Sequence, residues 1–274
     1  LWHGVPLKKV GYDDDKVKNW DSRGQKIRRL IQQIPLGREY VAATSENYKP
    51  IYVSAFRRPS DHILVVGQPR NDIFFDREGK FPVQHRLRNA ARGRKIILYA
   101  PTHRQEGRIP FPLEEHFDFQ RLNQWCQEHH AVFVIKRHFY HQEDPVDFSG
   151  YSNIADITDK SMDIQELLMD TDLLITDYSS TYIDYLLLDR PMVFYDFDYQ
   201  DYLRTDREMY YDYDDVTPGY KAETFGQLLD ELDLIFQGED QWREERRRVR
   251  DLFYCAQGQK AVGRKLLEFL KDIS

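Results

Sequence analysis

No run of this 274-residue sequence is apolar over the ~20 residues that a membrane helix needs, and no secretory leader is visible. Cysteine is nearly absent. Cys126 and Cys255 are the two, with neither metal-ligand spacing nor the numbers for a disulfide framework, which points to a reducing compartment. There is no Gly-x-Gly-x-x-Gly, no Walker loop and no His-Glu-x-x-His. Hydride transfer and ATP hydrolysis are therefore poorly supported, and neither a metal nor an organic cofactor is expected. Positive charge is also in short supply: the formal net charge of −7 argues against a general nucleic-acid binder.

What is present suits a well-packed globular protein. Hydrophobic residues make up 41% of the chain, enough for one large or two modest domains. The 18 Tyr and 16 Phe fit clefts for sugars or polyols as well as ordinary cores. The chain opens on Leu1-Trp2-His3-Gly4 without Met, so it is expected to be a piece of something longer.

Short apolar runs alternate with amphipathic ones. Strands are expected at Tyr40–Thr44, Ile63–Val66, Lys95–Ala100, Ala131–Ile135, Ile154–Thr158, 172–176 and Pro191–Tyr195. Helices are expected over 22–33, from Ser45 to Phe56, Phe119–His129, Asp163–Met169, after Tyr178, and over 223–236 and 239–271. The interval 76–94 reads as a polar connection, with a domain boundary inside 73–94. The fold class is α/β: residues 85–274 form a doubly wound parallel-sheet domain, and residues 1–84 the last part of another Rossmann-like layer. Arg243, Arg246, Arg247, Arg248 and Arg250 are interleaved with Glu244 and Glu245 and read as a solvated helix face, an anionic membrane surface being the lesser alternative.

In an open parallel sheet, ligands bind outside the carboxyl ends of the strands. Those ends carry His3, Thr102-His103-Arg104, Lys136-Arg137-His138, Thr158 and the run Thr176-Asp177-Tyr178-Ser179-Ser180. Histidine or arginine at three of them is more than turn chemistry requires. Ser179 and Ser180 open a helix, where backbone N–H groups and hydroxyls attract an anion, although alone they are ordinary caps. Arg104 sits where a phosphate would lie, or pairs with a surface carboxylate. Asp177 would repel a phosphate and suits hydrogen bonding to backbone or ribose, or packing. The cations Lys136 and Arg137 favour a neutral imidazole at His138, unless the trio decorates a loop.

Several ordered motifs carry a resemblance. They are Leu1-Trp2-His3-Gly4-Val5-Pro6-Leu7-Lys8, Gly67-Gln68-Pro69-Arg70-Asn71-Asp72, Tyr99-Ala100-Pro101-Thr102, Lys136-Arg137-His138 and Ile175-Thr176-Asp177-Tyr178-Ser179-Ser180, followed by Arg190-Pro191 and Val216-Thr217-Pro218-Gly219. Together they resemble the CDP-glycerol glycerophosphotransferases of teichoic-acid and capsule synthesis, over roughly residues 1–236. The resemblance implies a GT-B-type fold and transfer of glycerol or ribitol phosphate from a CDP-polyol donor to a hydroxyl, releasing CMP. A polyol-phosphate or glycan-lipid acceptor is implied, with the protein cytoplasmic and peripheral on the inner face of the membrane. It also implies His3 as base, His138 near the donor phosphates, and Ser179 and Ser180 on the diphosphate. Arg104, Lys136, Thr158, Thr176 and Asp177 complete the expected substrate-binding set. Phe139 stands where that family often has Pro, and His103 where it often has Trp. The alternatives are a nucleotide-sugar glycosyltransferase of the same architecture and a non-catalytic module for anionic polymer.

Overall fold

The structure, a computed structural model, describes residues 4–14, 40–76, 85–104, 112–138, 146–158, 162–205, 208–255 and 261–273. The helix expected over 22–33 and the candidate base His3 lie outside the described residues.

Two parallel sheets are present among them. β1 (Val41–Ala43) and β2 (Ile63–Val65) pair through the crossover helix α1 (Lys49–Phe56). The larger sheet contains β3 (Lys95–Tyr99), β4 (Ala131–Ile135), β5 (Ile154–Asp156), β6 (Leu173–Thr176), β7 (Met192–Tyr195) and β8 (Tyr220–Ala222), in the order β5-β4-β3-β6-β7-β8. Every neighbouring pair is parallel. Chain order runs outward from β3 on one side and from β6 on the other. The side on which successive strands are added therefore switches between β3 and β6, and loops leaving these two parallel strands diverge to leave a crevice.

The central strands read as unbroken apolar runs because both faces are covered. Ile96, Leu98, Val134, Leu174 and Phe194 face one core, while Ile97, Tyr99, Phe133, Ile175 and Tyr195 face the other. On the first face lie α2 (Arg86–Ala91), α4 (Ile164–Asp170) and α5 (Thr181–Tyr185). The second is covered by α3 (Phe119–Glu128) and α8 (Phe225–Phe236), whose Leu122, Trp125, Leu228 and Leu232 pack there. The short helices α6 (Tyr199–Thr205) and α7 (Tyr213–Val216) add stacked tyrosines below the crevice.

Several expectations are corrected. The polar interval before β3 contains α2, held by Asp170, which accepts from the Arg88 N–H and pairs with His85. β8 was not expected, since Tyr220-Lys221-Ala222 is short and has a lysine at its centre. The last helix is two, α9 (Arg243–Phe253) and α10 (Val262–Ile273). Arg246 is not on a solvated face. It is 1% exposed and bonds both oxygens of Asp240, at 2.6 and 2.7 Å. The tyrosines serve mainly the core: Tyr48, Tyr52, Tyr99, Tyr178, Tyr182, Tyr185, Tyr202 and Tyr213 are all fully buried.

The first and last parts of the chain are bolted to the large sheet by a buried polar knot. Asp184, one turn into α5, accepts from Arg70, from Asn71 Nδ2 at 2.8 Å, from Gln165 Nε2 at 3.2 Å and from the Tyr254 hydroxyl. Burial and the neighbouring Asp184 carboxylate push the Tyr254 phenol well above its ordinary pKa, so it remains a donor. Asp72 accepts from the N–H groups of Val262 and Gly263 at 2.8 and 2.9 Å, capping α10. Removing one partner of such a knot leaves the others buried and unsatisfied. Asp184→Ala is expected to lower stability by about 3 kcal/mol. A wild-type midpoint in denaturant unfolding would show that the knot contributes nothing.

Candidate active site

Between β3 and β6 the crevice opens into a cleft of about 390 Å³. One wall is the opening segment, Gly4 to Lys8 and Val10. The other carries Thr102 and His103 after β3, His138 after β4, and Ser179 and Ser180 after β6. His3 immediately precedes the wall residue Gly4 in the chain. The opening and central segments thus share one cavity, at the point where the topology of the sheet puts it.

The glycine of the Trp-His-Gly run has a steric reason. A Cβ on Gly4 would lie 2.5 Å from Nη2 of Arg70, and this same guanidinium reaches Asp184. The Arg70 guanidinium thus lies beside Gly4 on one wall while it pairs with Asp184 in the helix that begins at the opposite wall. The opening segment is fixed at its far end too. Lys8 forms an antiparallel bridge with Met209, and the Tyr210 N–H donates to Leu7 O at 3.0 Å.

The hydroxyl turn differs from the expected long helix start. α5 is five residues long and tightens into a 3₁₀ turn at Leu186–Leu188, so its dipole is small. Ser179 Oγ donates to Thr181 Oγ1 at 2.9 Å and accepts from the Thr181 N–H at 3.3 Å. Ser180 makes no side-chain cap. Any anion attraction here comes from local hydroxyls and N–H groups more than from a macrodipole.

Other candidates are turned toward the protein. Arg104 is 7% exposed. It bonds Asp198 through Nε at 2.5 Å and Nη2 at 3.0 Å, Thr102 O at 2.6 Å, and lies 2.9 Å from Asp177. Burial opposes its charge, but Asp177 and Asp198 outweigh it and hold the guanidinium above its ordinary pKa. Asp177 is buried and accepts from the Thr102 N–H at 2.8 Å, so of the expected alternatives its contacts are backbone bonding and packing. Thr176 Oγ1 donates to Ala100 O at 2.7 Å inside the sheet. Thr158 Oγ1 accepts from the Arg137 N–H at 3.0 Å, while Lys136 Nζ donates to Thr158 O at 3.2 Å. Arg104, Lys136, Thr158, Thr176 and Asp177 therefore brace the loops after β3, β4, β5 and β6. His138, Ser179 and Ser180 line the cleft itself, with the His138 ring 4.6 Å from that of His103.

Sequence reading missed Lys8 as a wall residue and the pair Asp196-Phe197-Asp198 after β7. Spacing alone signals that pair, whose Asp198 braces Arg104. Burial raises the Asp196 carboxyl to about 6. Among the described residues no group of three or more His, Cys, Asp or Glu is placed to hold a metal ion, and no helix is long and apolar enough to cross a membrane.

Comparison with known proteins places this geometry. The family model for CDP-glycerol:poly(glycerophosphate) glycerophosphotransferase matches residues 1–270. The teichoic acid poly(ribitol-phosphate) polymerase of Bacillus spizizenii is 34% identical over 235 residues, covering 84% of this chain and 36% of that one. The teichoic acid glycerol-phosphate transferase of Staphylococcus aureus is 31% identical, covering 89% and 64%. The chain thus spans less than two thirds of the length of these curated relatives. The solved wall teichoic acid polymerase TagF superposes with a TM-score of 0.81 at 29% identity, over 99% of this chain and 67% of that one. The α/β fold is of the GT-B type.

Two outcomes follow from the bracing contacts. Arg104→Ala strands the buried Asp177 carboxylate and is expected to lower stability by about 3–5 kcal/mol. An unchanged unfolding midpoint together with a raised KM for substrate would instead give Arg104 a binding role. Asp196 binds its proton more tightly folded than unfolded, where carboxyls titrate near about 4. The native state therefore holds more protons in that window, and this contribution to stability is lost as pH rises from about 4 to about 6. Thermal unfolding of Asp196→Asn across this range should lack that decline. A profile parallel to wild type would exclude the assignment.

Proposed function

The chain belongs to the CDP-glycerol:poly(glycerophosphate) glycerophosphotransferase family, and we propose that it transfers a polyol phosphate from a CDP-activated donor to a hydroxyl of a cell-envelope or capsule polymer, releasing CMP. The observation that carries this reading is the shared cleft, with Gly4 on one wall and His138, Ser179 and Ser180 on the other. The TagF structures include a histidine variant soaked with CDPG, which supports a donor of that class here.

In this reading His3, one residue upstream of Gly4, takes the proton of the acceptor hydroxyl. The hydroxyl oxygen attacks the phosphorus that bears the polyol. A new P–O bond forms, the bond to the CMP phosphate breaks, and CMP leaves with the electron pair. His138 and the Ser179–Ser180 turn donate to the diphosphate as negative charge develops on the leaving group. Arg104, Lys136, Thr158, Thr176 and Asp177 act at one remove by fixing the loops that carry these groups. Residues 1–84 then form the closing part of the acceptor-side unit and residues 85–274 the donor-side unit. The protein works in the cytoplasm, peripheral on the inner face of the membrane, on polyol-phosphate or glycan-lipid acceptors.

The test is incubation of the full-length protein with CDP-glycerol or CDP-ribitol and a panel of acceptors, followed by measurement of CMP. His138→Ala and His3→Ala are each expected to reduce release by about a hundredfold or more with the fold retained. Near-normal turnover in either variant removes that residue from the mechanism. A nucleoside diphosphate released from a nucleotide sugar, in place of CMP, would overturn the reaction class.

A further inference from the structure

A second cavity, of about 500 Å³, lies on the first face of the large sheet and shares no lining residue with the cleft. That face is thinly covered near its edge. α2 is six residues long, and the crossover from β4 to β5 sends Phe148 and Tyr151 to the opposite core. Leu87 of α2, Val132 and Val134 of β4, Ile154 of β5, and Ile157 and Met162 beyond it line the space that is left. Small-ligand cavities span about 300–1,000 Å³, and this one falls among them. Arg94 also lines it. Among the described residues its guanidinium bonds neutral oxygens: Ala91 O through Nε at 3.0 Å, and Asn153 Oδ1 and Ser152 O through Nη1 at 2.9 and 3.4 Å. Such contacts fix a guanidinium in place without cancelling its charge, as a carboxylate would. The carboxylates beside α2, Asp170 and Asp172, are taken up by His85 and Arg88. The stretch itself is basic: residues 86–95 carry five lysine and arginine side chains and no acid, in a chain of net charge −7.

We propose that this cavity binds a single-chain lipid anion, its apolar chain among the side chains of α2, β4 and β5 and its phosphate or carboxylate head on Arg94. The planar guanidinium fork matches an oxyanion, and the aliphatic wall gains from covering a hydrocarbon chain. A wholly apolar molecule would lay hydrocarbon against a fixed charge and desolvate it at a cost. A small polar anion would satisfy Arg94 and leave the wall uncovered. A molecule with both properties therefore fits better than one with either. An α-helix of a protein partner, about 10–12 Å across with its side chains, is too bulky for a space of about 500 Å³. No cleft residue takes part, so occupancy of one site does not exclude occupancy of the other.

Full-length protein is titrated calorimetrically with decyl phosphate below its micelle concentration, and separately with decanol and with inorganic phosphate. Decyl phosphate is expected to saturate a single site, with decanol and inorganic phosphate each weaker by about tenfold or more. Arg94→Met should lose about tenfold in affinity for decyl phosphate and little for decanol, while Arg94→Lys keeps most of the preference. Ala90→Trp, which fills the cavity from an exposed position on α2, should weaken decyl phosphate and decanol alike. Thermal unfolding of each variant reports whether the fold is kept, and CDP-glycerol added beforehand should leave decyl phosphate binding unchanged. Wild-type affinity for decyl phosphate in Arg94→Met or in folded Ala90→Trp would overturn the proposal, as would displacement of decyl phosphate by CDP-glycerol. Binding to phosphatidylglycerol vesicles with no response to decyl phosphate would give this face to a bilayer surface and overturn it equally.

Discussion

One buried carboxylate behind the cleft gathers side chains from three other segments of the chain. Asp184 sits one turn into the helix that starts at Ser179 and Ser180, and it holds Arg70, whose guanidinium presses against Gly4. Arg70 and Asp184 form a partly buried ion pair, and Asn71, Gln165 and Tyr254 bond the same carboxylate. Ion pairs of this kind contribute little net stability relative to an apolar replacement, but they define geometry because a displaced partner is left buried and unsatisfied. In this protein the pair fixes residues 69–75 against the helix that begins at the hydroxyl turn. A side chain at position 4 would have to shift the Arg70 guanidinium.

Charge in the site is arranged in layers. Among the described residues, hydroxyls, imidazoles and Lys8 lie nearest the cavity; beneath them, Arg104 is clasped by Asp177 and Asp198. An arginine held by two aspartates stiffens the loops after β3 and β6 without presenting net positive charge. For the transfer proposed above, such a layer suits release of an anionic product, because tight neutralisation of phosphate by several exposed arginines would slow its departure.

Much of the fold was legible because the central strands are buried on both faces and appear as unbroken runs such as Lys95–Tyr99 and Ala131–Ile135. The place of the cleft followed from polar residues recurring where those runs end. Elements that depend on tertiary partners were not legible. β8 is a strand because it pairs with β7, although Tyr220-Lys221-Ala222 has no strand pattern of its own. The short α2 is held by Asp170 and Asp172, which lie some 80 positions later in the chain and which no local window contains. The site was read with the same bias. Arg104 at a strand end looks like an anion ligand until its two aspartates are seen, and Arg246 within a run of charges looks solvated until Asp240 is.

The cap on the final helix reaches far back along the chain. Asp72 supplies both acceptors for the first amides of the Val262–Ile273 segment, and Phe269 of that segment meets Tyr40 edge-on at 4.8 Å. During synthesis the acceptor is made long before its donors emerge. The early layer must then wait, with a solvated carboxylate and an uncovered ring, until that helix has been made. That helix acts as a latch on a layer made 190 residues earlier, and its loss would uncover Asp72 and Tyr40, far from it along the chain.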